Sequence, residues 1–186
     1  MYAHPDGFPP KSFLLIRKRG YDIYVASPEL SFLLAARTLD LIDLIKLGYD
    51  LCALYYINNN KQADRTTFTF INYIRNYLME NINYRGAKKA LRALKYVRDY
   101  SNSPMETKLA MFAVLPSSYG GCGLGRLELN KHLHLCEAGR NLTGYSTIMV
   151  DLFFNNKLAV EYNSNQWHLD PSHYTDDMNR QTALNQ

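Results

Sequence analysis

Two acidic residues stand where acids are costly. Asp151 lies inside Thr147-Ile148-Met149-Val150-Asp151-Leu152-Phe153-Phe154, an apolar run of strand type. Glu161 follows Leu158-Ala159-Val160 on what reads as the next strand. A buried carboxylate without compensation is expensive. It asks for a cation, a hydrogen-bond network or a raised pKa. Asn155-Asn156 reads as the turn of a hairpin. As a two-residue turn it pairs Phe154 with Lys157 and sets Asp151 opposite Val160. A slip of one residue makes Asp151 and Glu161 direct partners. Either register puts two carboxylates within reach of one ion, and hard oxygen donors of this kind suit Mg²⁺ or Mn²⁺. The plain alternative places both acids on a solvent face.

Other chemically suggestive residues are more ambiguous. Ser103-Pro104-Met105-Glu106 fits a capping box, with Ser at the N-cap, Pro at the first helical position and Glu at the third. Glu106 is thus a cap, a metal ligand, or both. His132 and His134 alternate on an expected strand and share a face; a third ligand is not evident. Cys52, Cys122 and Cys136 form no CxxC pair, which speaks against a zinc site or a disulfide framework. Gly120-Gly121-Cys122-Gly123-Leu124-Gly125 lacks a preceding strand and a following Lys-Ser/Thr, so it reads as a turn and not a phosphate loop.

The elements that must position these residues follow from periodicity and punctuation. Residues 1–12 read as an irregular arm, and 13–16 with 21–26 as a small hairpin. Ser27-Pro28 opens a helix expected to run to about Leu47 and stop at Gly48. Residues 51–57 form a short apolar segment before the Asn58-Asn59-Asn60 turn, and a helix covers 68–80. A basic helix spans 86–100. Ala87, Leu91, Leu94 and Val97 share its apolar face, and Arg85, Lys88, Lys89, Arg92 and Lys95 are candidates for phosphate contact. A solvated charged face is the simpler account. After Ser101-Asn102-Ser103-Pro104 come a helix to about Leu115, strands over 127–129, 131–136, 147–154 and 157–162, a polar loop from Asn163 to His173 and a final helix. The class is α+β, an α/β sandwich, with a mostly helical N-terminal domain (1–100) and a C-terminal domain (101–186).

Residues 101–186 resemble the PD-(D/E)xK nuclease superfamily, more narrowly its very-short-patch-repair-like branch of uncharacterised bacterial proteins. The resemblance is carried by Ser103-Pro104-Met105-Glu106, by Asp151 and by Ala159-Val160-Glu161-Tyr162-Asn163-Ser164-Asn165-Gln166-Trp167-His168, followed by Asp176, Asp177 and Arg180. It implies a restriction-endonuclease-like mixed sheet flanked by helices. It also implies divalent metal held by Glu106, Asp151 and Glu161, with Asn163 at the position after Glu-x and His168 as general acid or base. Tyr162 could add its carbonyl. Asn163 replaces the usual Lys or Asp and cannot be a base. The chain stops at or near its last helix where the family commonly continues into a strand, which implies C-terminal shortening. A weaker resemblance links residues 1–100 to abortive-infection and toxin–antitoxin regulators.

Length and composition bound the function. The chain has 186 residues, 47% hydrophobic and 20% charged, a globular balance. The net charge of +4 is uneven: residues 1–100 carry 15 basic and 9 acidic residues, and 101–186 carry 6 and 8. The basic half could attract a polyanion. The N-terminus lacks signal-peptide features and no run reaches the ~20 apolar residues of a membrane span, so a cytoplasmic protein is expected. Two classes compete: a Mg²⁺-dependent DNA endonuclease in phage defence or DNA repair, and an inactive nuclease-fold regulator binding DNA or a protein partner of a toxin–antitoxin or defence system. Fifteen tyrosines are compatible with a protein interface.

Overall fold

The computed structural model describes residues 8–59, 61–162 and 171–184, with side chains of 171–177 left aside. The chain is α+β, with seven α-helices and small antiparallel sheets among the described residues. It divides into two compact units, Met1–Asp99 and Tyr100–Gln186. No helix among the described residues is long and apolar enough to cross a membrane.

The first unit begins with a hairpin, β1 (Phe13–Lys18) and β2 (Tyr21–Ala26), turned at Arg19-Gly20, both at positive φ. Ser27 caps α1 (Pro28–Ala35) by accepting the Leu30 N–H. The long helix expected from 28 to 47 is two helices. Asp40 caps a second one, α2 (Leu41–Cys52), by accepting the Asp43 N–H at 2.8 Å. Asp40 is a strong N-cap residue within a helical pattern, and its capping bond stops the first helix and starts the next. Gly48 does not end α2. A Cβ there would meet Val97 Cγ2 at 2.6 Å, so Gly48 lets a neighbouring segment come close. A further hairpin, β3 (Tyr55–Asn58) with β4 (Lys61–Asp64), extends the short segment expected there.

The helices α3 (Ile71–Glu80) and α4 (Ala87–Leu94) complete this unit, α2 packing on α4 and α1 on α3. Leu30, Phe32, Leu44, Ile45, Tyr49, Ile74, Leu78, Leu94 and Val97 are its buried core. Helix α3 has no side-chain cap of its own, and Asp99 from beyond α4 accepts its first N–H at 2.9 Å. Helix α4 is shorter than the expected 86–100, and Ala87, Ala90, Ala93 and Leu94 form its buried face with Leu91 at the margin.

The second unit runs α5 (Pro104–Val114), β5 (Leu127–His134), α6 (Glu137–Thr143), β6 (Thr147–Phe154), β7 (Leu158–Val160) and α7 (Pro171–Leu184). Its three strands form one sheet in the order β5-β6-β7, antiparallel throughout. The mixed sheet expected from the resemblance is therefore corrected, since no parallel strand joins it among the described residues. Strand β5 is continuous across Asn130, where a turn-like break was expected. Helix α6 is a finding, capped by Cys136 through the Gly139 N–H. Its seven residues lie in a window too short for periodicity to show.

Candidate functional site

The β6–β7 register decides how the two acids meet. Phe154 pairs with Leu158, Phe153 with Ala159 and Leu152 with Val160. The turn is Asn155-Asn156-Lys157, with both asparagines in the left-handed region (φ 49° and 57°) and the Lys157 N–H on the Phe154 carbonyl. The two-residue turn is thus corrected to three residues. One step beyond the Leu152–Val160 pair, Asp151 lies opposite Glu161. Directly opposed residues share a sheet face.

Burial alternates along β6. Ile148, Val150, Leu152 and Phe154 are buried, whereas Asp151 and Phe153 are half-buried. The two acids thus stand on the more open face of the sheet. Each has a protein partner. Asp151 Oδ2 accepts the Tyr162 backbone N–H at 2.7 Å. Glu161 Oε1 accepts from Arg180 Nη2 of α7, also at 2.7 Å, and Arg180 additionally donates to the Met149 carbonyl. Of the compensations that acids in apolar strands require, this structure supplies a hydrogen bond to one and a guanidinium to the other.

The opposite edge of the row is made by β5. Leu129 pairs with Leu152 and Lys131 with Val150, so Asn130 stands opposite Asp151. Asn130 has φ 48°, and its Nδ2 donates to the Tyr100 carbonyl and to Glu106 Oε2, each at 2.7 Å. Its Oδ1 is buried with no hydrogen-bond partner. Glu106, only 7% exposed, is the working half of a capping box. Its Oε1 accepts from Ser103 Oγ, its Oε2 from the Asn102 N–H, and its own N–H donates to Ser103 Oγ. The capping expectation is met in full. Asn130 is the residue that sequence reasoning missed; an Asn inside an alternating strand was its only signal.

The sequence candidates therefore separate. Asp151 and Glu161 are brought opposite each other by the strand register, and Asn130 links Glu106 to the same row. Among the described residues, no three His, Cys, Asp or Glu side chains gather closely enough to hold one metal ion. Asn163 and His168 lie outside the described residues. His132 and His134 alternate on β5, exposed and paired with Met149 and Thr147.

In the first unit, Arg85, Lys88, Arg92 and Lys95 are exposed at helical spacing on and beside α4, with no ion pair among the described residues. Lys89 differs. It is half-buried and donates to the Leu39 carbonyl, so its charge is committed to packing. That corrects its assignment to the phosphate-facing set. Asp99 and Cys52 form a buried pair: burial pushes up the carboxyl pKa and, with the neighbouring carboxylate, that of the thiol.

No family model, no curated protein and no solved structure matches this chain.

Proposed function

We propose that the second unit is a divalent-metal-dependent DNA phosphodiesterase core of PD-(D/E)xK type. The single observation that supports it best is the register that sets Asp151 directly opposite Glu161 on one face of an antiparallel meander. The order α5, β5, β6, β7, α7, with Glu106 at the start of the first helix, is compatible with that reading.

The donors suit a hard cation. Asp151 and Glu161 offer carboxylate oxygens, and Asn130 Oδ1 is a buried oxygen without a partner. Mg²⁺ or Mn²⁺ bound there would polarise a phosphate and acidify a water. The chain's own contribution is positional. The Tyr162 N–H fixes Asp151, and Arg180 holds Glu161 while also offering a guanidinium suited to a phosphate oxygen. The exposed cations Arg85, Lys88, Arg92 and Lys95 supply sequence-independent attraction to DNA. Phage defence and DNA repair are the settings such an activity fits.

The test is plasmid nicking by the purified chain with and without Mg²⁺ or Mn²⁺. Nicking is expected with metal, falling at least a hundredfold in both Asp151→Asn and Glu161→Gln. Full nicking by both variants overturns the proposal.

A second reading is favoured by one contact. Arg180 already neutralises Glu161, and Asn163 stands where a catalytic Lys or Asp is usual. An inactive nuclease-like fold that binds DNA or a protein partner, as a regulator of abortive-infection or toxin–antitoxin type, has no need of a metal. This reading expects DNA affinity unchanged by chelator, with no nicking in any metal.

A further inference from the structure

The β1–β2 ribbon has two unlike faces. One carries Leu15 against Tyr24 and the Arg17–Asp22 ion pair at 3.3 Å. The other is formed by the cross-strand pairs Leu14–Val25, Ile16–Ile23 and Lys18–Tyr21. On that second face all five apolar side chains are 41–60% exposed. Neither strand pairs with any other strand among the described residues. A lone two-stranded ribbon is marginally stable in water, and stacking on a second layer is the usual remedy.

We propose that this face, Leu14, Ile16, Tyr21, Ile23 and Val25, is a self-association surface through which two copies of the chain pair. Three arguments select a second copy as the occupant. The first is charge. The ribbon's one ion pair lies on the opposite face, so this face asks for a neutral, apolar partner, and the same face of another copy is one. A two-fold contact needs just such a self-complementary patch.

The second is geometry. Ile16 and Ile23 occupy the middle of the ribbon, so a two-fold axis through them stacks like on like. Leu14 and Val25 then lie against Tyr21 and the aliphatic stem of Lys18, whose ammonium remains in water. The cationic tips Arg17-Lys18-Arg19 fall at opposite ends, roughly 15–20 Å apart for strands of this length, beyond a Debye length of about 8 Å.

The third is area. Five side chains of this size at this exposure present on the order of 450 Å² per copy. About 900 Å² in total is below the ~1,200–2,000 Å² of stable complexes and within the range of transient ones. The pair is therefore weak, with a Kd on the order of tens of micromolar. The inference does not depend on the nuclease reading.

The experiment is sedimentation velocity on the full chain from roughly 1 to 300 µM, a range that brackets this Kd. Wild type is expected to pass from monomer to dimer. Ile23→Glu and Ile23→Lys, which keep the wild-type circular dichroism, are each expected to stay monomeric. Mixed in equal amounts, the two are expected to pair, because opposite charges then meet at the centre. A wild-type chain monomeric throughout the range overturns the proposal. So does a dimer that persists in both variants, which would place the contact elsewhere. Loss of DNA affinity in both variants without any change in self-association would assign the face to nucleic acid, and overturns it equally.

Discussion

Glu106 and Asn130 show how one side chain can serve local and long-range structure together. Glu106 closes the N-terminus of α5 and, through Asn130, ties it to the middle of β5. Removing the amide leaves Glu106 Oε2 short of a donor while nearly buried. Asn130→Ala should lower stability by about 1–3 kcal/mol, read as a shift in urea midpoint with an unchanged slope. In the other unit, Asp99 is an acid whose pKa is raised, chiefly by burial and despite its bond to the Ile71 N–H. A raised folded-state value means that the native state holds the proton more tightly than the unfolded chain does. Its contribution is then greatest below the ordinary 3.8 and is lost as pH rises through the higher native value. Asp99→Asn should flatten that stretch of the stability–pH curve, measured by denaturation at successive pH values. An unaltered slope would mean that Asp99 is not the group responsible. Cys52 is buried, whereas Cys122 and Cys136 are exposed. Two thiols should therefore react quickly with a disulfide reagent at neutral pH, and the third only after unfolding.

At the scale of elements, close approach matters more than propensity. Gly48 sits mid-helix where α2 meets Val97. Gly48→Ala should cost about 1–3 kcal/mol through overpacking, despite alanine's better helix propensity; a gain in melting temperature would refute the packing account. This is also where sequence reading stopped short. A glycine after an apolar stripe has the signature of a helix stop, and only its neighbour across the interface shows otherwise. Capping signals fared better: Ser27, Ser103 and the Pro that follows each announced helix starts that are present, because capping is local chemistry. Asp40 carried the same signal but lay inside an apolar pattern long enough to mask it. The α4 cations were legible as a set, yet the diversion of Lys89 to the Leu39 carbonyl depended on a partner fifty residues away. Changing Arg85, Lys88, Arg92 and Lys95 together to Ala should reduce DNA affinity at least tenfold. It should also flatten the logarithmic salt dependence by about 3–4, close to one for each lost contact; an unchanged slope would remove α4 from the interface.

Across the whole molecule, chemistry and charge are divided between the two units. The basic excess is in residues 1–99, and the opposed acids lie in the unit that begins at Tyr100. The class and the element order were readable because apolar periodicity is strong in both halves. The meeting of Asp151 and Glu161 was readable only as one of two registers, since an Asn-Asn pair admits a tight or a three-residue turn and each flips the facing residues. Arg180 has a consequence of another kind. By supplying a positive group to Glu161 from within the chain, it relieves the folded state of dependence on anything dissolved around it. Overnight dialysis against EDTA should leave the heat-denaturation midpoint where it was. In the Arg180→Met variant the orphaned acid should make that midpoint rise again on adding Mg²⁺.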